Sequence, residues 1–104
     1  MVEQLVAALC VKLALAACPT IEYTKDLGDF YAEARLYNSG KTEILINRYR
    51  FDYQDDSSKK QILIHEMTHI KLIQEGDTKH RHNRTFYVRC RQHGGNAHYC
   101  SDGT

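Results

Sequence analysis

The chain has 104 residues, of which 42% are hydrophobic and 26% charged, and its formal net charge is +1. That length supports one modest core, so a single domain over residues 1–104 is expected and a separate regulatory domain of any size is excluded. One proline, six glycines and no internal repeat exclude a low-complexity or disordered chain.

The four cysteines, Cys10, Cys18, Cys90 and Cys100, fall into two local pairs, one near each end. Their spacing resembles no disulfide-dense scaffold, so reduced thiols are expected. An alternative is a second metal site in the tail from Cys90, His93, His98 and Cys100, although these intervals fit the paired knuckles of zinc modules poorly.

Residues 2–17 are rich in strong helix formers, and Pro19 stops the pattern. Leu15-Ala16-Ala17-Cys18 resembles the end of a bacterial lipoprotein signal. Glu3 is the only charge before Lys12, however, and Lys12 interrupts the apolar segment that export requires. The segment is also too short to span a bilayer. The expectation for residues 1–18 is therefore a helix packed on the core with Glu3 and Lys12 facing water. A cytoplasmic location follows, with an exported lipoprotein anchored through Cys18 as the minor alternative.

Residues 20–92 read as an α+β core. A short strand is expected at Ile21–Thr24, then a turn at Asp26-Leu27-Gly28-Asp29. From Tyr31 to Tyr37 the sequence alternates, with Ala32, Ala34 and Leu36 on one face and Glu33 and Arg35 on the other. Asn38-Ser39-Gly40-Lys41 is a hairpin turn, and β character resumes from Thr42 to Arg48 with Ile44 and Ile46 on one side and Leu45 on the other. A small, mostly antiparallel sheet results, with only the helices available to cover it.

Asp55-Asp56-Ser57-Ser58 supplies capping residues for a helix from about Lys59 to Glu75, which Gly76 ends. At about 100° per residue, Ile62, Leu63, His65, Glu66, Met67, His69, Ile70, Leu72 and Ile73 share one arc, with Ile64 the one apolar residue on the other side. After a polar loop, Asn83 to about Gln92 reads as a closing helix with Phe86 and Cys90 one turn apart, terminated by Gly94-Gly95. Residues 93–104 carry no strong pattern and are read as a tail.

Chemistry concentrates in His65-Glu66-Met67-Thr68-His69. On a helix these histidines stand one turn apart on one face, the spacing at which two imidazoles share a zinc ion with the glutamate near the open coordination position. Two incidental histidines would instead leave three polar side chains in the apolar arc, each costing about 1–3 kcal/mol if unpaired. A catalytic zinc needs a third protein ligand and an open position. The downstream candidates are Glu75, Asp77, His80 and His82, with His93 and His98 more remote. Glu75 lies six residues past His69, the metzincin interval, but Leu72 stands where that motif has the glycine that turns the chain. No glutamate-bearing helix of the thermolysin type follows, which leaves a histidine.

At this point the sequence resembles a family. His65-Glu66-Met67-Thr68-His69, a loop, and then His82-Asn83-Arg84-Thr85-Phe86-Tyr87 are similar to the minimal metallopeptidase core of SprT-like, WLM and YgjP-like proteins. In these the third zinc histidine is followed four residues later by a buried aromatic. The resemblance spans residues 20–92 and implies one catalytic zinc ion on His65, His69 and His82, with Glu66 as general base in peptide hydrolysis. His80 is the competing ligand. The thirteen-residue interval from His69 to His82 is close to the SprT-like one and longer than in the other two types, while the glycine often beside the third histidine is absent.

The mechanism implied is metal-assisted hydrolysis of a protein or peptide substrate, with a strand edge near Thr42–Asn47 as the docking line for an extended peptide. Tyr87, His80 and His93 are candidates for the oxyanion helper. Lys79, Arg81, Arg84, Arg89 and Arg91 crowd the last third, so weak DNA association through this basic segment is a second expectation, against the reading as a solvated helix face. A zinc-stabilised binding module for nucleic acid or protein, without turnover, is the alternative function. The tail could also carry Cys90, His93, His98 or Cys100 into the fourth zinc position and block it.

Overall fold

The computed structural model describes residues 2–79 and 81–101. Helix α1 (Val2–Lys12) buries Val2, Val6 and Leu9 along one stripe, and Leu13 continues that stripe into the following turn. The helix ends five residues earlier than its alanine-rich sequence suggests, because tertiary bonds compete for the backbone of residues 14–17. Lys71 Nζ donates to the Ala14 carbonyl, and the Gln74 side chain accepts from Ala16 N–H while donating to the Ala17 carbonyl. Helix propensity is a weak preference that such bonds override. A Cys10–Cys18 disulfide, with Cα atoms 5.6 Å apart, closes this turn.

Strands β1 (Thr20–Thr24), β2 (Ala32–Leu36) and β3 (Thr42–Asn47) form an α+β architecture with the helices, in a mixed sheet ordered β1-β3-β2. The β2–β3 hairpin is antiparallel as expected, closed by Tyr37 N–H to the Lys41 carbonyl at 2.9 Å. The first strand joins β3 in parallel, from Thr20 opposite Glu43 to Thr24 opposite Asn47. This corrects the expected open edge at Thr42–Asn47: β3 lies between two neighbours and every one of its residues is buried. Its inner side chains, Ile44 and Ile46, face the core with Ala32 and Ala34. On the outer face the Asn47 amide donates to the Gly28 and Phe30 carbonyls at 3.2 and 2.9 Å, pinning the loop between β1 and β2 to the sheet. The outer strands are β1 and β2.

A short helix α2 (Arg48–Phe51) seats Phe51 in the core before α3 (Asp56–Gln74) begins. Asp55 caps α3 by accepting from Ser58 N–H at 2.8 Å, a bond that holds its carboxyl below the usual range. At the other end Gly76, with φ of 103°, donates to the Ile73 carbonyl and Asp77 N–H donates to Leu72. These two bonds satisfy the last helical carbonyls and require the left-handed conformation that glycine adopts freely. Between Ile62 and Ile70 the helix is buried on every side, including Ile64 and Thr68, whereas an amphipathic helix was expected. Helix α1 and the segments after residue 82 cover the face read as polar, and the Thr68 hydroxyl avoids an unpaired donor by bonding the Ile64 carbonyl at 2.7 Å.

Asn83 caps α4 (Arg84–Gln92), accepting from Phe86 N–H at 3.1 Å. The region read as a patternless tail forms a further helix, α5 (Ala97–Ser101), which packs on both α3 and α4. A Cys90–Cys100 disulfide joins α4 to α5, so all four cysteines are paired and the expectation of reduced thiols is corrected. The reason is topological: each local pair brackets a chain reversal that brings its Cα atoms within 5.6 or 5.7 Å. Pairing also removes the thiols needed for a second metal site in the tail. No described helix is long and apolar enough to cross a membrane.

Candidate metal centre

Helix α3 presents His65 and His69 one turn apart, buried to 4% and 3% exposure, on the side facing α4. The loop after Gly76 returns the chain so that His82, just ahead of the Asn83 cap, meets them from the solvent side. The Nε2 atom of His82 stands 3.2 Å from that of His65 and 3.0 Å from that of His69. No other group of metal-capable side chains comes together among the described residues. Phe86, fully buried, forms the floor: its ring stacks on His69 at 4.3 Å between centroids and meets His65 and His82 edge-on at 4.8 and 5.0 Å. The Asn83 cap sets the junction between His82 and Phe86, so the four-residue interval between them is the first turn of α4.

Three imidazole nitrogens converging on one point suit a cation. The Nδ1 atom of His65 lies 2.8 Å from the Tyr99 carbonyl. A carbonyl only accepts, so Nδ1 carries the proton, and in the neutral ring the Nε2 lone pair points toward His82. Ligand nitrogens on a tetrahedral zinc at about 2.0–2.1 Å lie about 3.3–3.4 Å apart, close to the spacings seen here. The donor set, three imidazoles with one oriented through its second nitrogen, fits zinc.

Glu66, 2% exposed, points from the same helix toward the sheet. Its Oε1 accepts from Ala34 N–H at 3.0 Å, a donor on the free side of β2. Burial pushes its carboxyl well above the usual carboxylate range; the Ala34 bond opposes this and the Glu33 charge adds to it.

Of the remaining sequence candidates, Glu75 receives two bonds from Arg89, at 2.8 and 2.6 Å, which hold its carboxyl below the usual range and tie the end of α3 to α4. It is not among the converging groups. His93 Nδ1 lies 2.9 Å from the Thr68 hydroxyl, and burial first, then the Arg89, Lys12 and Lys71 cations, depress its pKa. Tyr87 O–H accepts from Arg91 along α4 at 3.0 Å. His98 rests its ring against Tyr99. His80, the competing ligand and oxyanion candidate, lies outside the described residues. A tail that blocks the site through Cys90 or Cys100 is corrected, since both sulfurs are bonded to each other. The tail instead reaches His65 from behind, through the Tyr99 carbonyl. That contact and the Ala34 N–H are backbone groups, for which a sequence carries no side-chain signal.

The SprT-like family model matches residues 10–103, and the chain belongs to the SprT-like family. No curated protein and no solved structure matches it.

Proposed function

We propose that this SprT-like chain is a zinc-dependent peptidase in which His65, His69 and His82 hold the ion and Glu66 is the general base. The observation that carries the reading is the convergence of three imidazole Nε2 atoms, with the intervening Glu66 buried on the same helix and bonded to Ala34 N–H of β2. A zinc ion there would acidify a water molecule and polarise a peptide carbonyl. Glu66 would accept a proton from the attacking water and pass it to the leaving amine. The substrate class, a protein or peptide, rests on the family. On the outer side of β2 the Ala34 N–H is already taken by Glu66 and Ala32 is buried, so an extended peptide adding there would have to displace that bond.

The test compares wild type with Glu66→Gln by metal analysis and peptide-library cleavage. Retained zinc with lost cleavage is the expected result for the variant. Zinc in both with cleavage in neither would leave a zinc-stabilised binding module, and absence of metal from both would remove the centre.

Weak association with DNA is a second reading. The Arg89 charge is compensated by Glu75, while Lys79, Arg81 and Arg84 are exposed on or next to the loop that carries His82 and Arg91 is exposed in the last turn of α4. Binding that weakens steeply with added salt is expected, and no binding at low salt would refute it.

A further inference from the structure

We propose that the Cys90–Cys100 disulfide is a latch for the metal centre, making metal affinity sensitive to thiol reductants. The inference rests on the metal-binding reading of His65, His69 and His82. The chain meets these histidines from two directions. Helix α3 carries His65 and His69, while α4 carries Phe86 beneath the rings and follows directly from His82. Cys90, one turn past Phe86, is bonded to Cys100, and the neighbouring Tyr99 offers its carbonyl to His65 Nδ1 at 2.8 Å. The disulfide therefore joins the helix that supports His82 to the backbone oxygen that orients His65.

Helix α5 has only five residues, far below the length at which a helix holds itself together. Its position depends on tethers. Gln61 of α3 holds the turn that precedes it, donating to the Gly94 carbonyl at 3.2 Å and accepting from Asn96 N–H at 2.8 Å. Asn96 in turn accepts from Tyr99 N–H at 2.9 Å. The Gln61 and Asn96 bonds are exposed, where water competes for them, whereas Cys90 and Cys100 are buried to 0% and 1% exposure. The disulfide is a covalent tether that water cannot replace, beside the packing of Tyr99 and Cys100 on the core. Its packing is close enough to dictate a neighbour: a Cβ on Gly95 would collide with both sulfurs and with the Cys90 carbonyl.

A dithiol reductant delivers two electrons and two protons to the Cys90–Cys100 bond, leaving two thiols and closing to its own cyclic disulfide. With the bond broken, α5 keeps its exposed hydrogen bonds and the packing of Tyr99 and Cys100 on the core, but it loses its covalent tie to α4, and the Tyr99 carbonyl is held less firmly against His65. Loss of such an outer partner of a ligand histidine typically weakens metal binding by about 10-fold to 100-fold. The Cys10–Cys18 disulfide, at the end of α1, makes no such link and serves as the internal control.

The experiment titrates Co(II), read by visible absorption, into four forms of the full chain: wild type oxidised, wild type reduced by a dithiol and then desalted without air, Cys90→Ala/Cys100→Ala, and Cys10→Ala/Cys18→Ala. Far-UV circular dichroism reports the fold and nitrogen-15 histidine spectra report the His65 Nδ1 proton. The expected result is a folded protein throughout, with Co(II) affinity lowered about tenfold in the reduced and Cys90→Ala/Cys100→Ala forms only. In those two forms the His65 Nδ1 proton loses its protection, and reoxidation of the reduced wild type restores both affinity and protection. Equal affinity in all forms overturns the latch, as does equal weakening in the Cys10→Ala/Cys18→Ala control. A cobalt–thiolate absorption band in the reduced protein overturns it too, because the cysteines would then be ligands. Collapse of the whole fold without the bond also counts against it, since the disulfide would then support the molecule rather than the centre. Failure of oxidised wild type to take up Co(II) at all would sink the metal-binding reading itself.

Discussion

Replacing Phe86 tests whether the floor of the candidate metal centre is also a keystone of the core. The side chain is fully buried and touches all three histidine rings, with its closest approach the 4.3 Å stack on His69. Phe86→Ala leaves a cavity beneath those rings, and truncations of this kind cost about 3–5 kcal/mol. That is a large share of the roughly 5–15 kcal/mol that holds a domain of this size together. At about 4–8 °C per kcal/mol for a small domain, the melting temperature of the chelator-treated protein should fall by more than about 12 °C. Phe86→Leu separates packing from ring contact. It keeps most of the apolar volume and gives up aromatic contacts worth about 0.5–1.5 kcal/mol per pair, so its stability loss should be the smaller while metal binding still weakens. Thermal unfolding with and without chelator, run beside a Co(II) titration, reads both quantities. A Phe86→Ala protein that loses less than about 1 kcal/mol and binds Co(II) as wild type does would refute this placement of the ring.

Two further predictions use neighbouring groups. In metal-free protein the folded-state proton affinity of Glu66 exceeds that of the unfolded chain, whose carboxyl titrates near the ordinary 4.5. The folded state then binds the extra proton above that pH, so the contribution of Glu66 to stability is complete below it and is lost as pH rises. Glu66→Gln, which does not ionise, should flatten this dependence and raise the melting temperature of metal-free protein near neutral pH; identical pH profiles for the two proteins would refute the burial argument. Glu75→Ala should leave metal content unchanged and cost no more than about 1 kcal/mol, because its partner Arg89 pairs with it near the surface. Loss of metal from that variant would mean that Glu75, not His82, completes the centre.

The pattern of residues was enough to place the helix that carries the site. Asp55 at its start, Gly76 at its end and the apolar run from Ile62 to Ile73 are local signals, read through capping, a left-handed turn and hydrophobic spacing. The hairpin from Ala32 to Asn47 was legible for the same reason, since alternation and an Asn-Ser-Gly turn act over a few residues. Three features escaped. The parallel pairing of β1 with β3 is a choice between partners distant in sequence, and alternation within a strand cannot express it. The end of α1 was misplaced because side chains from α3, 57 and 58 residues away, compete for its backbone. The tail formed a helix because a disulfide and Gln61 hold it, not because its five residues favour helix.

What the sequence determined by itself is the chemistry: two imidazoles and a carboxylate at helical spacing, a third histidine ahead of an Asn cap and an aromatic one turn on. Side-chain type and local periodicity suffice for that, because covalent distance along a helix is already distance in space. Only the tertiary structure decided how the centre is held. The Ala34 N–H on Glu66 and the Tyr99 carbonyl on His65 are backbone groups brought from 32 and 34 residues away, and every residue but proline carries the same pair. Their positions follow from strand order and from the disulfide that fastens α5, which are properties of the folded chain as a whole.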